Sequence, residues 1–282
     1  MNITINRMPV VIGGNGGSGT RAVAQILISS GMCLGRDLNK ANDNLLFTYL
    51  FRHKRLFENR INRFDDRQKR LYDLHEKLLL GGAPTTREEL RIVFGTGWRH
   101  AFGLYNPVWV SKRWLRMFLS RTVKPISWGW EEPNSMYFLP GLKDKYPGAK
   151  FVLVLRNGLD ISFSKNNRQL KYWGKAFGVD PEDLSPLNRF EFWYRSNKQA
   201  IELGEELFGE DFLSLHLETL CLNKSECVRE LIEFAGFDFN NSPKDILGIP
   251  RLPKSYNRYQ NHDTRWIDQS VKEKLAELGY EL

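Results

Sequence analysis

Five of the seven residues from Gly13 to Gly19 are glycine, and this run constrains the fold more than any other part of the chain. It follows a short apolar stretch, Met8–Ile12, and precedes an apolar helical pattern over 22–27. Glycine lets backbone N–H groups approach an anion closely, and the N-terminus of the following helix favours negative charge. A tight turn without a ligand is the alternative. The run therefore predicts a strand–loop–helix unit and favours a phosphate-type ligand.

Strand and helix patterns alternate along much of the chain. Besides Met8–Ile12, apolar runs predict strands at Ser127–Trp130, Lys150–Leu155 and Phe212–Leu217. The helical patterns cover Asn134–Tyr146, Leu159–Leu170, Pro186–Leu207, Lys224–Ala235 and Thr264–Leu278. Such alternation is typical of an α/β fold with a mainly parallel sheet flanked by helices, which binds ligands at the carboxyl ends of its strands.

Residues 40–121 differ from the rest, because they are rich in Arg, Lys, Leu and aromatic residues and carry little strand signal. They predict helices at Asn44–Glu58, Asp65–Leu80, Arg87–Thr96 and Val108–Ser120, with Thr85 or Thr86 as a cap. These helices are expected to cover the sheet, to line a pocket for a second ligand, or both. We therefore expect one domain over residues 1–282 with 40–121 as a helical insertion.

Charge and cysteine content limit the surroundings and the partners. The net charge of +8 and the pI of about 9.3 favour anionic ligands, but they do not choose among nucleotide, nucleic acid and acidic lipid. The three cysteines have no zinc-site spacing, and their odd number argues against a disulfide framework, so we expect a cytoplasmic protein. No apolar run is long enough for a membrane anchor, and nothing indicates a metal.

The glycine loop alone does not identify the phosphate ligand. Gly19 is followed by Thr20 and Arg21, so the lysine of the nucleotide-kinase pattern is missing. The spacing of Gly14, Gly16 and Gly19 also matches a dinucleotide fingerprint, with Asp37 near the distance of its acidic residue. An enzyme using another nucleotide is therefore one alternative. A non-catalytic anion- or nucleic-acid-binding protein is another, resting on the net charge and the basic stretch 52–70.

A second phosphate-binding pattern follows the strand predicted at Lys150–Leu155. Arg156 comes at the end of that strand, and Ser164 lies eight residues later on the next predicted helix. A guanidinium and a hydroxyl so placed can hold one phosphate through charge-assisted hydrogen bonds. The alternatives are a surface ion pair of Arg156 with Asp160 and a solvated position for Ser164.

Taken together, these motifs resemble those of the PAPS-dependent sulfotransferase family. GGSGTR at 16–21 resembles the loop that binds the 5′-phosphosulfate, and Arg156 with Ser164 resembles the 3′-phosphate signature. WGWEEP, LETLC and PKSYNRY at 128–133, 217–221 and 253–259 resemble segments of a bacterial branch. The resemblance covers about residues 8–36 and 126–282. It implies a P-loop-like α/β fold and transfer of a sulfuryl group from PAPS to an acceptor hydroxyl or amine, which releases adenosine 3′,5′-bisphosphate without a metal.

The resemblance also implies roles for particular residues. The donor-binding set is Gly16, Gly17, Ser18, Gly19, Thr20 and Arg21 for the 5′ end, and Arg156, Ser164, Ser255 and Arg258 for the 3′-phosphate. The catalytic candidates are Asp43, His100 and Glu131, with His53 and Glu132 also considered and Asp43 preferred as general base. The acceptor is expected to be a carbohydrate, lipid, peptide or small metabolite, and no nucleic-acid partner is expected.

This chain departs from the family pattern at two positions. Gly17 stands where most relatives have Lys or Arg, and Glu131 stands where relatives often have Lys. Two positive charges near the transferring group are therefore absent or supplied elsewhere. Arg21, Lys165 and Arg168 are the candidates to replace them.

Overall fold

The computed structural model describes residues 8–35, 38–51, 66–100, 115 and 125–281, with the backbone alone for 94–100. Within these residues a parallel sheet has the order β2-β1-β3-β4. Its strands are β1 (Val10–Gly14), β2 (Gly129–Glu131), β3 (Lys150–Leu155) and β4 (Phe212–His216). The predicted parallel sheet is confirmed, and β1 lies at its centre, so the glycine run leaves from the middle of the carboxyl edge.

Helices connect these strands and cover both faces of the sheet. In chain order the described α-helices are α1 (Thr20–Ser29), α2 (Leu45–Phe51), α3 (Asp66–Leu79), α4 (Arg87–His100), α5 (Leu139–Lys145), α6 (Gly158–Ser162), α7 (Arg168–Trp173), α8 (Pro186–Phe208), α9 (Leu217–Leu222), α10 (Lys224–Phe234) and α11 (Gln269–Glu277). No helix of the described part is long and apolar enough to cross a membrane.

Two apolar clusters flank the sheet because successive strand residues point to opposite faces. Val10 and Ile12 are buried on one face with Ile26 of α1 and Leu231 of α10. On the other face, Val11 belongs to a larger cluster that includes Phe151 of β3, Trp193 of α8 and Phe47 of α2. Both faces of the central strands are therefore buried, which fits their continuous apolar sequence.

Four of the predicted helices are wrong in extent by more than one residue. The helix predicted at Arg87–Thr96 continues to His100, and the one predicted at Thr264–Leu278 spans only Gln269–Glu277. The helix predicted at Leu159–Leu170 is divided into α6 and α7, because the backbone N–H of Asn166 donates to Ser164 Oγ at 3.2 Å and turns the chain. Side chains of this kind compete with helical hydrogen bonds. The helix predicted at Asn134–Tyr146 starts with a 3₁₀ turn, Pro133–Tyr137, before α5. Glu132 caps that turn by accepting from the Asn134 N–H at 2.8 Å.

The described part of the insertion is helical, as predicted. The N–H of Glu89 donates to Thr86 Oγ1 and the N–H of Thr86 donates to Glu89 Oε2, both at 3.1 Å, so Thr86 caps α4. Phe47, Phe51 and Tyr72 pack with Trp130 in the larger cluster and hold α2 and α3 over β2. Of the helix predicted at Val108–Ser120, only Leu115 lies within the described residues, and it is helical.

Candidate functional site

The glycine run forms a loop at the carboxyl end of β1. The backbone φ angle is +97° at both Gly17 and Gly19, a conformation that side chains other than glycine rarely adopt. The N–H of Gly16 donates to Gln169 Oε1 at 2.6 Å, and the N–H of Ser18 donates to the carbonyl of Asn15 at 2.9 Å. These bonds fix the loop immediately before the N-terminus of α1.

A cavity of about 640 Å³ opens beside this loop. Its volume lies within the usual range for ligand pockets, roughly 300–1,000 Å³. Three guanidinium groups, those of Arg21, Arg156 and Arg251, lie on its walls. Asp43 is the carboxylate among its lining residues. The cavity therefore combines glycine backbone with positive side chains, a surface suited to an anion such as a nucleotide phosphate.

Arg156 is buried at the end of β3 and joins three parts of the site. Its guanidinium donates to the Gly17 carbonyl at 3.3 Å, to Asp160 Oδ2 at 3.1 Å and to the Ser255 carbonyl at 2.7 Å. Its Nε has no hydrogen-bond partner among the described residues. The ion pair with Asp160 is thus buried rather than on the surface, since the two side chains are only 5% and 1% exposed.

The C-terminal loop brings a second guanidinium to the same place. Burial and the neighbouring charge of Arg156 lower the pKa of Arg258. Two guanidiniums this close favour an anion between or beside them. Arg258 Nε and Arg156 Nη2 both donate to the Ser255 carbonyl, at 3.4 Å and 2.7 Å. Ser164 is half-buried nearby, and Arg189 Nη1 donates to its carbonyl at 2.9 Å.

Three carboxyl groups lie close together below the loop. Glu131 ends β2 and is fully buried, and its carboxylate oxygens find no hydrogen-bond partner among the described residues. Burial, followed by the nearby charge of Asp43, raises the pKa of Glu131 well above its ordinary value. Burial also raises the pKa of Glu132 to about 7, although Asn134 and Thr48 donate to its carboxylate. Glu131 is therefore shielded, whereas Asp43 and Glu132 reach a cavity.

A second cavity, of about 310 Å³, adjoins the first on the side of α2 and α7. The two cavities share Gly16, Asp43, Pro133 and Asn166. The second cavity, but not the first, is also lined by Thr48, Glu132 and Arg168. Two ligands, one in each cavity, would therefore meet beside Gly16 and Asp43.

Most of the residues predicted from the sequence converge on this region. The first cavity is lined by Gly16, Gly17, Gly19, Thr20, Arg21, Asp43 and Arg156. Ser18 is buried in the loop, and its hydroxyl has no partner among the described residues. Ser255 accepts from Arg156 and Arg258 lies near it, but Ser164, Ser255 and Arg258 do not line the first cavity. His100 ends α4, but its side chain lies outside the described residues, as do His53 and Asp37.

The sequence reasoning missed several lining residues. Arg251, Asn166 and Gln169 lie in or beside loops with no strong local pattern, so no spacing pointed to them. Their positions depend on the tertiary fold. Of the candidates to replace the missing charges, Arg21 lines the first cavity and Arg168 the second, whereas Lys165 lines neither.

No group of three or more His, Cys, Asp or Glu side chains in the described residues is arranged to hold a metal ion. The three cysteines are free, with Cys221 and Cys227 buried.

Comparison with known proteins agrees with the fold. A sequence model of the sulfotransferase family matches residues 9–241. The sulfotransferase domain from the curacin biosynthetic pathway is 11% identical with a TM-score of 0.50, over 98% of this chain and 99% of that one. A sulfotransferase of Mycobacterium avium is 11% identical with a TM-score of 0.44, over 97% of this chain and 76% of that one. A search of curated protein sequences finds no match.

Proposed function

The chain belongs to the sulfotransferase family, and on that basis we propose that it transfers a sulfuryl group from PAPS to an acceptor hydroxyl or amine. The observation that carries the proposal is the first cavity, where the glycine loop meets Arg21, Arg156 and Arg251. The products are a sulfated acceptor and adenosine 3′,5′-bisphosphate. PAPS supplies an activated sulfuryl group whose leaving oxygen belongs to the 5′-phosphate.

The groups around the first cavity suit such a donor. The buried Ser18 hydroxyl and Arg156 Nε have no partner among the described residues, and each could donate to a phosphate oxygen after a small local shift that exposes it. We assign the 5′ end to the backbone N–H groups of 16–20, with Ser18, Thr20 and Arg21. We assign the 3′-phosphate to Arg156, Arg258, Ser164 and Ser255, because the two guanidiniums lie close enough for Arg156 to lower the pKa of Arg258.

The missing loop cation has a replacement in this arrangement. Gly17 carries no charge, but Arg21 and Arg251 line the same cavity and both are exposed. Long flexible side chains of this kind can move onto a bound phosphosulfate and neutralise charge on the leaving oxygen. We propose that Arg251 shares with Arg21 the role that a loop Lys or Arg has elsewhere in the family.

Asp43 is the proposed general base because it lines both cavities. Asn39 Nδ2 donates to Asp43 Oδ2 at 2.6 Å, which orients the carboxylate. We propose that Glu131 acts behind Asp43, as a buried neighbour whose pKa is raised by burial, rather than on the acceptor itself. His100 remains a further candidate for the catalytic set.

Calorimetric titration with adenosine 3′,5′-bisphosphate, AMP and NAD tests this function. We expect the bisphosphate to bind in the micromolar range and AMP and NAD to bind much more weakly. Arg251→Ala should weaken bisphosphate binding by about tenfold, the effect of losing one charge-assisted hydrogen bond. Arg156→Ala should weaken it further, and its folding is checked by circular dichroism because it leaves Asp160 unpaired.

Arg265→Ala is the matched control, because Arg265 is exposed and pairs with Asp263 outside the cavity. A folded protein that binds NAD as well as it binds the bisphosphate would favour the dinucleotide alternative. Binding to DNA or RNA that weakens steeply with salt, without bisphosphate binding, would favour the nucleic-acid alternative.

A further inference from the structure

The second cavity lies where an acceptor must enter if the first cavity holds the donor. In-line transfer requires the acceptor oxygen on the opposite side of the sulfuryl group from the leaving oxygen. The two cavities meet at Gly16, Asp43, Pro133 and Asn166, beside the loop assigned to the 5′ end. The side chains of the second cavity therefore indicate what kind of acceptor it takes.

Six of the thirteen residues that line this cavity are amides or carboxylates. Asn39, Asn134, Asn166 and Gln169 supply amides, and Asp43 and Glu132 supply carboxylates. An amide both donates and accepts hydrogen bonds, whereas an ionised carboxylate only accepts. A hydroxyl also both donates and accepts, so a molecule with several hydroxyls can satisfy such a surface. A flat apolar acceptor would make no hydrogen bond with these groups and would exclude water from those that are only partly paired.

The polar groups are held in place before any acceptor binds. Asn134 Nδ2 donates to Glu132 Oε1 at 2.7 Å, and Thr48 Oγ1 donates to the same oxygen at 2.9 Å. Asn134 Oδ1 accepts from Trp173 Nε1 at 2.8 Å. Fixed positions favour a ligand whose hydroxyls have equally fixed directions, as on a ring.

The charge and the volume of the second cavity restrict the class of acceptor further. Asp43 and Arg168 line this cavity with Glu132, whose pKa is about 7, so opposite charges nearly balance and an uncharged acceptor is favoured over a charged one. Tyr49 and Tyr172 add aromatic side chains to the same lining. The volume of about 310 Å³ is at the lower end for ligand pockets, which suits one ring rather than a long chain.

We infer that the second cavity binds an uncharged polyhydroxylated ring, such as a sugar residue or a cyclitol, as the sulfuryl acceptor. This inference rests on the proposed function. One ring hydroxyl loses its proton to the Asp43 carboxylate and forms the new O–S bond. The S–O bond to the 5′-phosphate breaks, and its electron pair leaves on the phosphate oxygen.

Saturation-transfer NMR with chosen probes tests the class of ligand. The polyol probes are methyl α-glucopyranoside and myo-inositol, the aromatic probe is 4-nitrophenol, and the anionic probe is glucose 6-phosphate. We expect transfer to both polyols to exceed transfer to the other two probes. Tyr172→Ala should reduce polyol transfer at least about fivefold, the effect of losing a ring contact worth about 1 kcal/mol. Lys171→Ala, exposed on the same helix but outside the cavity lining, should change nothing.

Preference for 4-nitrophenol or glucose 6-phosphate would overturn the inference, as would polyol binding unaffected by Tyr172→Ala. Polyol binding is measured both without and with saturating adenosine 3′,5′-bisphosphate. A sample that binds the bisphosphate but no polyol refutes this inference and leaves the proposed function standing. A sample that binds polyols through Tyr172 but does not bind the bisphosphate refutes the proposed function and retains the polyol site.

Discussion

Asp160, on α6, is the residue that holds the C-terminal loop near the end of β3. It is fully buried, and its carboxylate accepts from the N–H of Asn257 at 3.0 Å and from that of Tyr259 at 3.4 Å. It also pairs with Arg156, which itself donates to Ser255. Ser255 and Arg258, the loop residues assigned to the 3′-phosphate, therefore depend for their positions on the Asp160 carboxylate. This carboxylate itself needs no contact with the nucleotide.

Asp160→Asn removes the charge of this carboxylate and keeps its shape. Hydrogen bonds to an ionised acceptor are worth about 1.5–3 kcal/mol, so we expect amide hydrogen exchange at Asn257 and Tyr259 to accelerate at least about tenfold. Mass spectrometry of the loop peptide measures it. Asp263→Asn, in an exposed position of the same region, is the control. Unchanged exchange in Asp160→Asn would show that the loop is held by other contacts.

Glu132 makes the stability of the protein depend on pH. Burial raises its pKa from the ordinary 4.5 to about 7, despite hydrogen bonds from Asn134 and Thr48, and Asp43 adds to the rise. Between these two values the folded chain holds a proton that the unfolded chain has released. The contribution of Glu132 to stability is therefore complete below pH 4.5 and is lost as the pH rises to about 7.

Glu132→Gln removes this titration. The free energy of unfolding of the variant, relative to wild type, should rise between pH 5 and pH 8 by about 2–3 kcal/mol, since one pKa unit corresponds to about 1.4 kcal/mol. Urea denaturation at both pH values measures it. Changes in hydrogen bonding that do not depend on pH cancel in this comparison. Glu205→Gln, exposed on α8, should give the same difference at both pH values, and a flat result for Glu132→Gln would contradict the assignment.

At the scale of elements, the β1–α1 loop allows a matched pair of substitutions. Gly17 and Gly19 share a φ of +97°, but a Cβ at Gly19 would lie 2.5 Å from Leu217 Cδ1, whereas a Cβ at Gly17 would come no closer than 3.7 Å to Ile161 Cδ1. Both Ala variants should lose about 1–2 kcal/mol of stability through backbone strain. Gly19→Ala should lose a further 1–3 kcal/mol, roughly the cost of overpacking. Equal losses of unfolding free energy in the two variants, measured by urea denaturation, would show that the Leu217 side chain moves aside without destabilising the protein.

Elements with a strong local pattern could be predicted from the sequence. Lys150–Leu155 is a strand with the predicted bounds, and Pro186–Phe208 extends the predicted helix by one residue. Their apolar spacing and, for the helix, Pro186 at its start explain this success. The helix predicted at Leu159–Leu170 runs through the polar stretch 164–169, where the N–H of Asn166 donates to Ser164 Oγ and the chain turns between α6 and α7.

The site was predictable only where it lies next to such elements. The glycine loop and Arg156 follow the ends of β1 and β3, and the sequence located both. Arg251 lies 95 residues after Arg156, in a loop that reaches the cavity only through the packing of the C-terminal region. The local spacing of residues does not indicate that Arg251 approaches the cavity. The second cavity takes most of its lining from α2, the Pro133 turn and α7, and of all its lining residues the sequence indicated only Gly16, Asp43, Glu132 and Arg168.

At the scale of the whole molecule, the first cavity joins distant parts of the chain. Its lining includes Arg21 near the start, Arg156 in the middle, and Arg251 with Pro253 towards the end. The two apolar clusters lie on opposite faces of one sheet, and the strands contribute to both. We propose that residues 1–282 form one domain that unfolds as a single unit, so a ligand in this cavity should stabilise all of it.

Thermal unfolding with and without adenosine 3′,5′-bisphosphate tests that proposal. At a ligand concentration 100 times its Kd, we expect one transition that is stabilised by about 2.7 kcal/mol. Arg251→Ala, with its Kd about ten times higher, should gain only about 1.4 kcal/mol at the same concentration. Scanning calorimetry gives both values. Two transitions of which only one moves would show that the cavity belongs to a part that folds separately, because a ligand stabilises only the unit whose unfolding destroys its site.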